Sequence, residues 1–348
     1  MSEPVGIVGY GLYLPETVMT AADVAKATGG KWTEQAVIDK LGFYKKPVPG
    51  PNDGTQEMGV RAGLDALKRT GMDPKEIDLI LCMGEEWKEY PLTTSAIYIQ
   101  EKIGATNAWS IDIQQRCNTT VAAIKMAKDM MIADPDIKTV MIVGGYRNGD
   151  FIDYMDPGVS FMFNLGAGAG ALILQRGYNK NVVLGSHIMT DGSLARDAGV
   201  KLGGTEFPLE KLSETEAADW KQRGNLSLKV FDGEHMKNRL NEVSVPNWYT
   251  CIDKALAKSG KTRADLGFFN ILHFKKSMYI QMLNDLGMTE EQSVYLDQYG
   301  HVGQVDQMIA IHEGVKQGKL KDGTLMVITA AGIGYVWGAT IVAWGEQK

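Results

Sequence analysis

The chain has 348 residues, and 44% of them are hydrophobic, so it is long enough to bury a substantial core in one large domain or two similar ones. A formal net charge of −6 disfavours nucleic acid as its main partner, and three widely spaced cysteines give neither a disulfide framework nor metal-ligand spacing, which predicts a cytoplasmic protein without a metal site. The start, as far as Pro15, resembles neither a secretory signal nor a membrane anchor, and no later run approaches about 18 apolar residues, so we expect no membrane segment.

The first buried strand is predicted at 78–84, where the apolar run DLILCMG follows a helical stretch. The next element, from Trp109 to Met131, begins as an alternating strand and ends as an amphipathic helix, with Cys117 at the junction. A helix N-terminus carries unpaired N–H groups and a partial positive charge, which favour the nucleophilic thiolate. Cys117 is therefore a candidate nucleophile, and the alternative is a small buried apolar residue.

Further apolar strands are predicted at 139–145 and 170–174, and helical stretches separate them. Continuous apolar strands are typical of sheets that helices cover on both faces, so the pattern predicts an α/β fold. The region from Gly192 to Trp248 has weaker periodicity and many charges, and we interpret it as an insertion that shapes a substrate pocket.

Three segments of the first half recur in the same order in the second half. ALKRTGMDPKEIDLILCMG resembles ALAKSGKTRADLGFFNILHF 189 positions later, and KTVMIVGG resembles GTLMVITA 185 positions later. Between them, the segment with Cys117 resembles the segment with His301, 184 positions later. Collinear matches at nearly one spacing indicate a duplication, so we predict two copies of one α/β unit, at 1–176 and 177–348.

A duplicated chain brings equivalent loops together around its pseudo-two-fold axis. Cys117 and His301 are predicted at equivalent helix starts, and Gly84 and His273 end equivalent strands, with Glu86 shortly after Gly84. One cleft would then hold a thiol, two imidazoles and one or two carboxylates, from Glu85 and Glu86. A thiolate beside imidazoles can attack a thioester carbonyl and keep the acyl group covalently.

Such chemistry needs backbone N–H groups directed at the developing oxyanion. The bend Gly332-Ile333-Gly334 follows a predicted strand near the C-terminus, and its glycines permit the backbone angles that direct N–H groups into a cavity. An ordinary turn is the alternative interpretation of this bend.

The chain resembles the thiolase-like condensing enzymes, most closely the ketoacyl-ACP synthase III group and the hydroxymethylglutaryl-CoA synthases. The resemblance is nearly full length and is carried by segments in the family's order: GIVGYGLYLPETVMTAADVAK, PNDGTQEMGVRAG, the segment of Cys117, FNLGAGAGALIL and GIGYVWGATIVAW. It implies a five-layered α-β-α-β-α fold with two mixed sheets and a homodimer. It also implies acyl-CoA or acyl carrier protein as substrate, with no permanently bound cofactor.

The resemblance assigns roles to individual residues. Cys117 matches the acyl-accepting nucleophile, the N–H groups of Cys117 and Ile333 match the oxyanion hole, and His273 matches the first catalytic histidine. His301 stands where the synthase III group usually has asparagine, which leaves the reaction subtype open.

Three further residues are candidates through the same resemblance. Glu86 matches the glutamate that serves as a base in hydroxymethylglutaryl-CoA synthases, and the alternative is that Glu85, Glu86 and Glu89 form a solvated charge run. Trp32 lies near the position where related enzymes stack an adenine, and Lys40 lies near a phosphate-contacting position. A solvated helix face is the competing interpretation of Trp32 and Lys40.

The sequence supports three hypotheses of function. The first is an acyl-thioester condensing enzyme that forms a C–C bond through acyl-Cys117. The second is an acyltransferase that passes the acyl group to an alcohol, amine or aromatic acceptor, since Asn118 and Lys275 depart from the synthase III pattern and could reshape the pocket. The third is a non-catalytic partner of an active homologue.

Overall fold

A computed structural model describes residues 3–84, 87–223 and 226–347, without the side chains of 219–223. Within these residues the chain forms thirteen strands, β1–β13: Val5–Tyr13, Val18–Thr20, Lys45–Pro47, Leu79–Met83, Trp109–Ile113, Thr139–Tyr146, Gly168–Arg176, Lys180–Thr190, Ala198–Val200, Leu228–Val230, Phe268–Ile271, Leu325–Gly332 and Val336–Glu346. The same residues form nine α-helices, α1–α9: Ala21–Ala27, Glu34–Leu41, Thr55–Thr70, Ser95–Ile103, Thr119–Ala133, Glu214–Arg223, Gly233–Lys258, Lys276–Asp285 and Asp306–Lys316.

The main sheet has nine strands in the order β11-β12-β13-β8-β1-β7-β6-β4-β5. In the first half β4 is parallel to β6, which is antiparallel to β7, which is antiparallel to β1. In the second half β11, β12, β13 and β8 repeat these pairings in the same order. The α/β fold that the sequence predicted is confirmed, and the boundary between 176 and 177, which falls between β7 and β8, remains our proposed division of the chain.

The two mixed sheets that the resemblance implied, one from each half, join edge to edge in the nine-stranded sheet. β1 and β8 meet at one antiparallel pair, Gly6 opposite Val182. A Cβ at Gly6 would lie 2.2 Å from the carbonyl oxygen of Lys180, so only glycine allows this approach. The strands of the two halves are therefore joined into one sheet at this single residue pair.

Helices separate and cover the strands. α5 contacts strands of both halves, including β4, β6, β8 and β13, and α9 contacts β11 together with β1 and β7. α3 packs on β1, β6 and β7 from the outer side, and α7 packs on β8 and β13. The layers therefore alternate as helix, sheet, helix, sheet and helix, with α5 and α9 in the middle.

The predicted insertion is shorter than the sequence suggested. β9 and β10 form a small separate sheet, and α6 lies between them in the chain. From Gly233 onward the chain is the long helix α7, whose first turn is capped by the Asp232 carboxylate at 2.9 Å from the N–H of His235. Pro246 and many charges lie within α7, which explains why its periodicity was weak in the sequence.

A substitution at Gly11 in β1 tests how closely α3 packs on the sheet. A Cβ at Gly11 would lie 2.1 Å from the carbonyl oxygen of Ala62 and 2.4 Å from the nitrogen of Ala66, both of which are backbone atoms. We expect Gly11→Ala to lower the free energy of unfolding by about 1–3 kcal/mol, measured by denaturant titration. Gly204→Ala is the control, because a Cβ there meets nothing within 4 Å. Equal stability of the two variants would contradict the packing.

Candidate active site

Cys117 lies in a short 3-10 turn, Arg116–Asn118, which leads directly into α5. The hydroxyl of Thr119 donates to the carbonyl of Arg116 at 2.5 Å and accepts from the N–H of Gln115 at 2.9 Å, so it fixes both sides of the turn. The Cys117 side chain is 8% exposed. The predicted position at a strand-to-helix junction is thus what the structure shows.

His301 faces the thiol. Its Nε2 lies 3.0 Å from Sγ of Cys117. The backbone around His301 pairs with the segment before β7: its N–H donates to the carbonyl of Asn164 at 2.9 Å, and its carbonyl accepts from Gly166 at 2.8 Å. The structure therefore brings together the two residues that the repeat placed opposite each other.

The predicted equivalence of Cys117 and His301 as helix starts is wrong in detail. The second half has the matching 3-10 turn at Gly303–Val305, before α9, so Gln304 and not His301 corresponds to Cys117. His301 lies three residues earlier, in extended chain that forms a bridge with Leu165. The side chain of Gln304 is buried and donates to the carbonyl of Met83 at 3.1 Å. His301 is the residue that contacts the Cys117 sulfur.

Asp306, the first residue of α9, completes the arrangement and was missed in the sequence. Its Oδ2 lies 2.6 Å from Nδ1 of His301 and accepts from the N–H of His273 at 2.8 Å. Its Oδ1 accepts from the N–H of Val302 at 2.7 Å. The sequence signal is an aspartate five residues after a histidine at the start of an apolar helix, and its burial is visible in the structure alone.

The electrostatics of this trio favour a charged imidazole. Burial opposes the charged form of His301, yet the negative charges of the Cys117 sulfur and the Asp306 carboxylate outweigh burial and hold the pKa of His301 well above its ordinary value. A thiolate beside an imidazolium is the nucleophilic state of such a pair.

His273 follows β11 and is only 2% exposed. Its Nε2 lies 3.1 Å from the carbonyl oxygen of Gly42, and its Nδ1 lies 3.1 Å from the side-chain nitrogen of Asn164. Burial lowers the pKa of His273 to about 4. His273 thus lies next to Asp306, which the sequence analysis did not predict, and both of its ring nitrogens contact protein groups other than the thiol.

The bend at Ile333 lies against the 3-10 turn that contains Cys117. A Cβ at Gly332 would lie 2.8 Å from the carbonyl of Gln115 and 3.0 Å from Cβ of Arg116, which shows how closely the two segments approach. The bend is also tied to Asp191, whose N–H donates to the carbonyl of Tyr335 at 2.9 Å. A cavity of about 240 Å³ opens beside the bend and is lined on one side by Arg116 and Ile333.

The remaining candidates are the pair Trp32 and Lys40 and the three glutamates that follow Gly84. Nζ of Lys40 lies 5.1 Å from the centroid of the Trp32 ring, which lies 5.9 Å from the ring of Phe163. Glu85 and Glu86 fall outside the described residues. The Glu89 carboxylate accepts from the N–H groups of Gln56 and Glu57, at 2.9 Å and 3.2 Å, and so caps the N-terminus of α3. Glu89 is therefore more than a solvated surface charge.

Two features are absent from the described part of the chain. No helix there is long and apolar enough to cross a membrane. Those residues also contain no group of three or more histidine, cysteine, aspartate or glutamate side chains that could hold a metal ion.

Comparison with known proteins relates both halves of the chain to one family. The family described as 3-oxoacyl-[acyl-carrier-protein (ACP)] synthase III matches residues 111–192, and its C-terminal family matches residues 256–344. A β-ketoacyl-[acyl-carrier-protein] synthase III of Campylobacter jejuni is 25% identical over 97% of this chain and 96% of its own length. One of Aliarcobacter butzleri is 26% identical over 97% of both chains.

Solved structures share the fold. The synthase III of Thermus thermophilus superposes with a TM-score of 0.83 at 20% identity, covering 98% of this chain and 100% of that one. A variant of OleA from Xanthomonas campestris superposes with a TM-score of 0.80 at 14% identity, covering 99% of both chains. The two matched families and the full-length relatives show that the chain belongs to the ketoacyl-ACP synthase III group of the thiolase-like superfamily, and the solved structures show that it shares their fold.

Proposed function

We propose that the protein is a condensing transferase that forms a C–C bond between two acyl thioesters through an acyl-Cys117 intermediate. The observation that carries this proposal is the 3.0 Å contact between Sγ of Cys117 and Nε2 of His301, whose other nitrogen lies 2.6 Å from Asp306. The relatives named β-ketoacyl-[acyl-carrier-protein] synthase III support the reaction class.

In the first step the Cys117 thiolate attacks the thioester carbonyl of the substrate. The N–H groups of Cys117 and Ile333 donate hydrogen bonds to the developing oxyanion. The close approach of the two segments that carry them supports this role. When the tetrahedral intermediate collapses, the C–S bond to the carrier breaks and the His301 imidazolium gives its proton to the leaving thiolate. The products are acyl-Cys117, the free carrier thiol and neutral His301.

In the second step a carbanion from a second thioester attacks acyl-Cys117, and the Cys117 thiolate leaves. The carbanion arises either by decarboxylation or by removal of a proton from an acetyl-like methyl group, and Glu86 is our proposed base for the second route. Neutral His301 carries its proton on Nδ1, because the Asp306 carboxylate can only accept there. Its Nε2 then carries no hydrogen and can act as a general base beside the acyl group.

That bare nitrogen also favours a second candidate function. A general base next to an acyl-enzyme can remove the proton of an alcohol or amine acceptor, which then takes the acyl group. The protein would in that case be an acyltransferase without C–C bond formation. The two functions differ in whether product formation needs a second thioester.

We further propose acyl-CoA or acyl carrier protein as the substrate carrier, with no permanently bound cofactor. The stacked pair of Lys40 and Trp32 offers a cation and an aromatic face, as a nucleotide phosphate and an adenine would require. The free cysteines, all buried, suit the reducing conditions of the cytoplasm.

A homodimer is proposed through β5, which ends the nine-stranded sheet. Trp109 and Ile111 on this strand are 48% and 42% exposed. An edge strand with exposed apolar side chains is a site for pairing with another chain, and a second copy would continue the sheet.

The acyl-enzyme is tested by incubating the protein with a panel of acyl-CoAs and weighing the intact chain. We expect the mass of one acyl group on the wild type and on Cys82→Ala, whose cysteine is buried and has a raised pKa, and none on Cys117→Ala. Product masses with and without a second thioester then separate condensation from acyl transfer. A folded wild type that never gains acyl mass would instead support a non-catalytic partner and contradict the proposal.

Asp306→Asn tests the electrostatic support of His301. Removing the carboxylate charge lowers the pKa of His301 from its raised value, so the imidazolium loses its proton at lower pH and the thiolate loses its counter-charge. We expect the rate of Cys117 alkylation by iodoacetamide at neutral pH to fall about tenfold, which corresponds to about 1.4 kcal/mol of lost stabilisation of the thiolate by His301.

The control for Asp306→Asn is Glu291→Gln, which removes one exposed carboxylate elsewhere. Thermal unfolding of both variants shows whether the fold is retained. An alkylation profile of folded Asp306→Asn that matches the wild type at every pH would contradict the role of Asp306.

Ile111→Arg tests the dimer, because two arginines would repel each other across a paired edge. Light scattering should give twice the 38.1 kDa chain mass for the wild type and one chain mass for the variant. Val315→Arg, at another exposed apolar position on α9, should remain dimeric. A monomeric wild type, or a dimeric Ile111→Arg, would rule out the β5 interface.

A further inference from the structure

The residue before the nucleophile has an unusual backbone conformation. The φ angle of Arg116 is 52°, in the left-handed region that glycine adopts without strain and that other residues seldom occupy. The N–H and the hydroxyl of Thr119 both donate to the Arg116 carbonyl and hold this conformation. Because glycine would be less strained here, the presence of arginine indicates that its side chain serves a purpose.

Arg116 lines the cavity of about 240 Å³ beside the bend at Ile333. Ile333 carries one of the two N–H groups that we propose for the oxyanion hole, so the cavity begins where the carbonyl oxygen of the acyl group would be held. Cys117, which would carry that group, directly follows Arg116. The rest of a bound acyl group would therefore extend along the wall to which Arg116 belongs.

The cavity is small. A water molecule takes about 30 Å³ in the liquid, so the cavity of about 240 Å³ has room for about eight non-hydrogen atoms. A short acyl group fits in this space, whereas a long fatty acyl chain does not.

The wall of the cavity is polar as well. Besides the bend at Ile333, it includes Gln114, Gln115, Arg116, Thr190 and Asp191. An apolar acyl group here would remove water from these polar residues without offering them hydrogen-bond partners, which costs free energy. An acyl group with hydrogen-bond acceptors of its own avoids this cost.

Arg116 and Asp191 are the two charged residues among the described residues of this wall, and their surroundings differ. The Asp191 carboxylate accepts from the hydroxyl of Ser193 at 2.7 Å and from Nε of Arg239 at 2.8 Å, so its charge is compensated within the protein. The hydrogen bond from Ser193 is the main cause that lowers the pKa of Asp191, which therefore stays charged. The Arg116 guanidinium has five N–H donors, enough to bind an acceptor in the cavity in addition to acceptors within the protein.

We infer that the cavity beside Cys117 takes a short acyl group that carries a carboxylate, and that Arg116 determines this specificity by binding the carboxylate. Guanidinium and carboxylate groups match in geometry and form paired, charge-assisted hydrogen bonds. The inference deepens the proposed function, on which it rests for acyl transfer to Cys117. It adds a substrate class, the thioesters of short dicarboxylic acids.

A matched pair of thioesters tests the substrate class, since succinyl-CoA has a carboxylate where butyryl-CoA has a methyl group. Each is incubated with the full-length protein, and the mass of the intact chain is followed with time. Mass that Cys117→Ala also gains is subtracted. We expect Cys117 to be succinylated about tenfold faster than it is butyrylated, as a hydrogen bond to a charged group contributes. Butyrylation as fast as succinylation, or octanoylation faster than both, would overturn the inference.

Substitutions test the role of Arg116 in this preference. Arg116→Met keeps an unbranched side chain without the charge and should lose the preference for succinyl-CoA, while Arg116→Lys keeps the charge and should retain part of it. Arg196→Met is the control, because the Arg196 side chain is 89% exposed and is not among the residues that line the cavity. A folded Arg116→Met with the wild-type preference would contradict the role of Arg116. The wild-type comparison decides the substrate class even if Arg116→Met does not fold.

Protection of Cys117 separates this inference from the proposed function. Monomethyl succinate should slow the alkylation of Cys117 by iodoacetamide more than methyl butyrate does, whether or not the protein uses thioesters. If no thioester acylates the protein but this protection is seen, the proposed function fails and the carboxylate site stands. If butyryl-CoA acylates Cys117 as fast as succinyl-CoA, the proposed function stands and the inference fails. Absence of both acylation and protection would contradict both.

Discussion

The contact between the Cys117 sulfur and the His301 imidazole is the interaction on which the chemistry of this protein depends. A buried thiol in an apolar setting is inert, as Cys82 illustrates, since burial raises its pKa well above the ordinary value. Cys117 is also buried, but the His301 imidazolium, which the Asp306 carboxylate stabilises, supplies the positive charge that a thiolate needs nearby. The rest of the fold serves to hold these three groups at hydrogen-bond distance.

The duplication provides that arrangement. The middle layer of the fold contains α5 from the first half and α9 from the second, and each begins with a 3-10 turn at the same edge. One turn presents Cys117, while the chain before the other presents His301 and the helix itself begins with Asp306. The hydroxyl of Thr120, at the start of α5, donates to the carbonyl of Gln304 at 2.5 Å and joins α5 to the turn before α9. The nucleophile and its base thus come from opposite halves across the pseudo-two-fold axis.

The sequence was informative about elements and less so about hydrogen-bond partners. The repeat predicted two copies of one α/β unit and the convergence of Cys117 with His301, because similar segments in the same order indicate equivalent elements. The direction of the His273 ring could not be predicted, since its partners Asn164 and Gly42 lie 109 and 231 positions away in the chain. Asp306 was missed for the same reason, as only packing shows that a carboxylate at a helix start is buried against an imidazole.

The central claim is that Cys117 and His301 form an ion pair in the resting protein. The ultraviolet absorbance of the thiolate measures this directly, as the difference between the wild type and Cys117→Ala at neutral pH. The account predicts the absorbance of one thiolate in the wild type and its loss in His301→Asn. A wild type without thiolate absorbance at neutral pH, or a His301→Asn variant that keeps this absorbance, would contradict it.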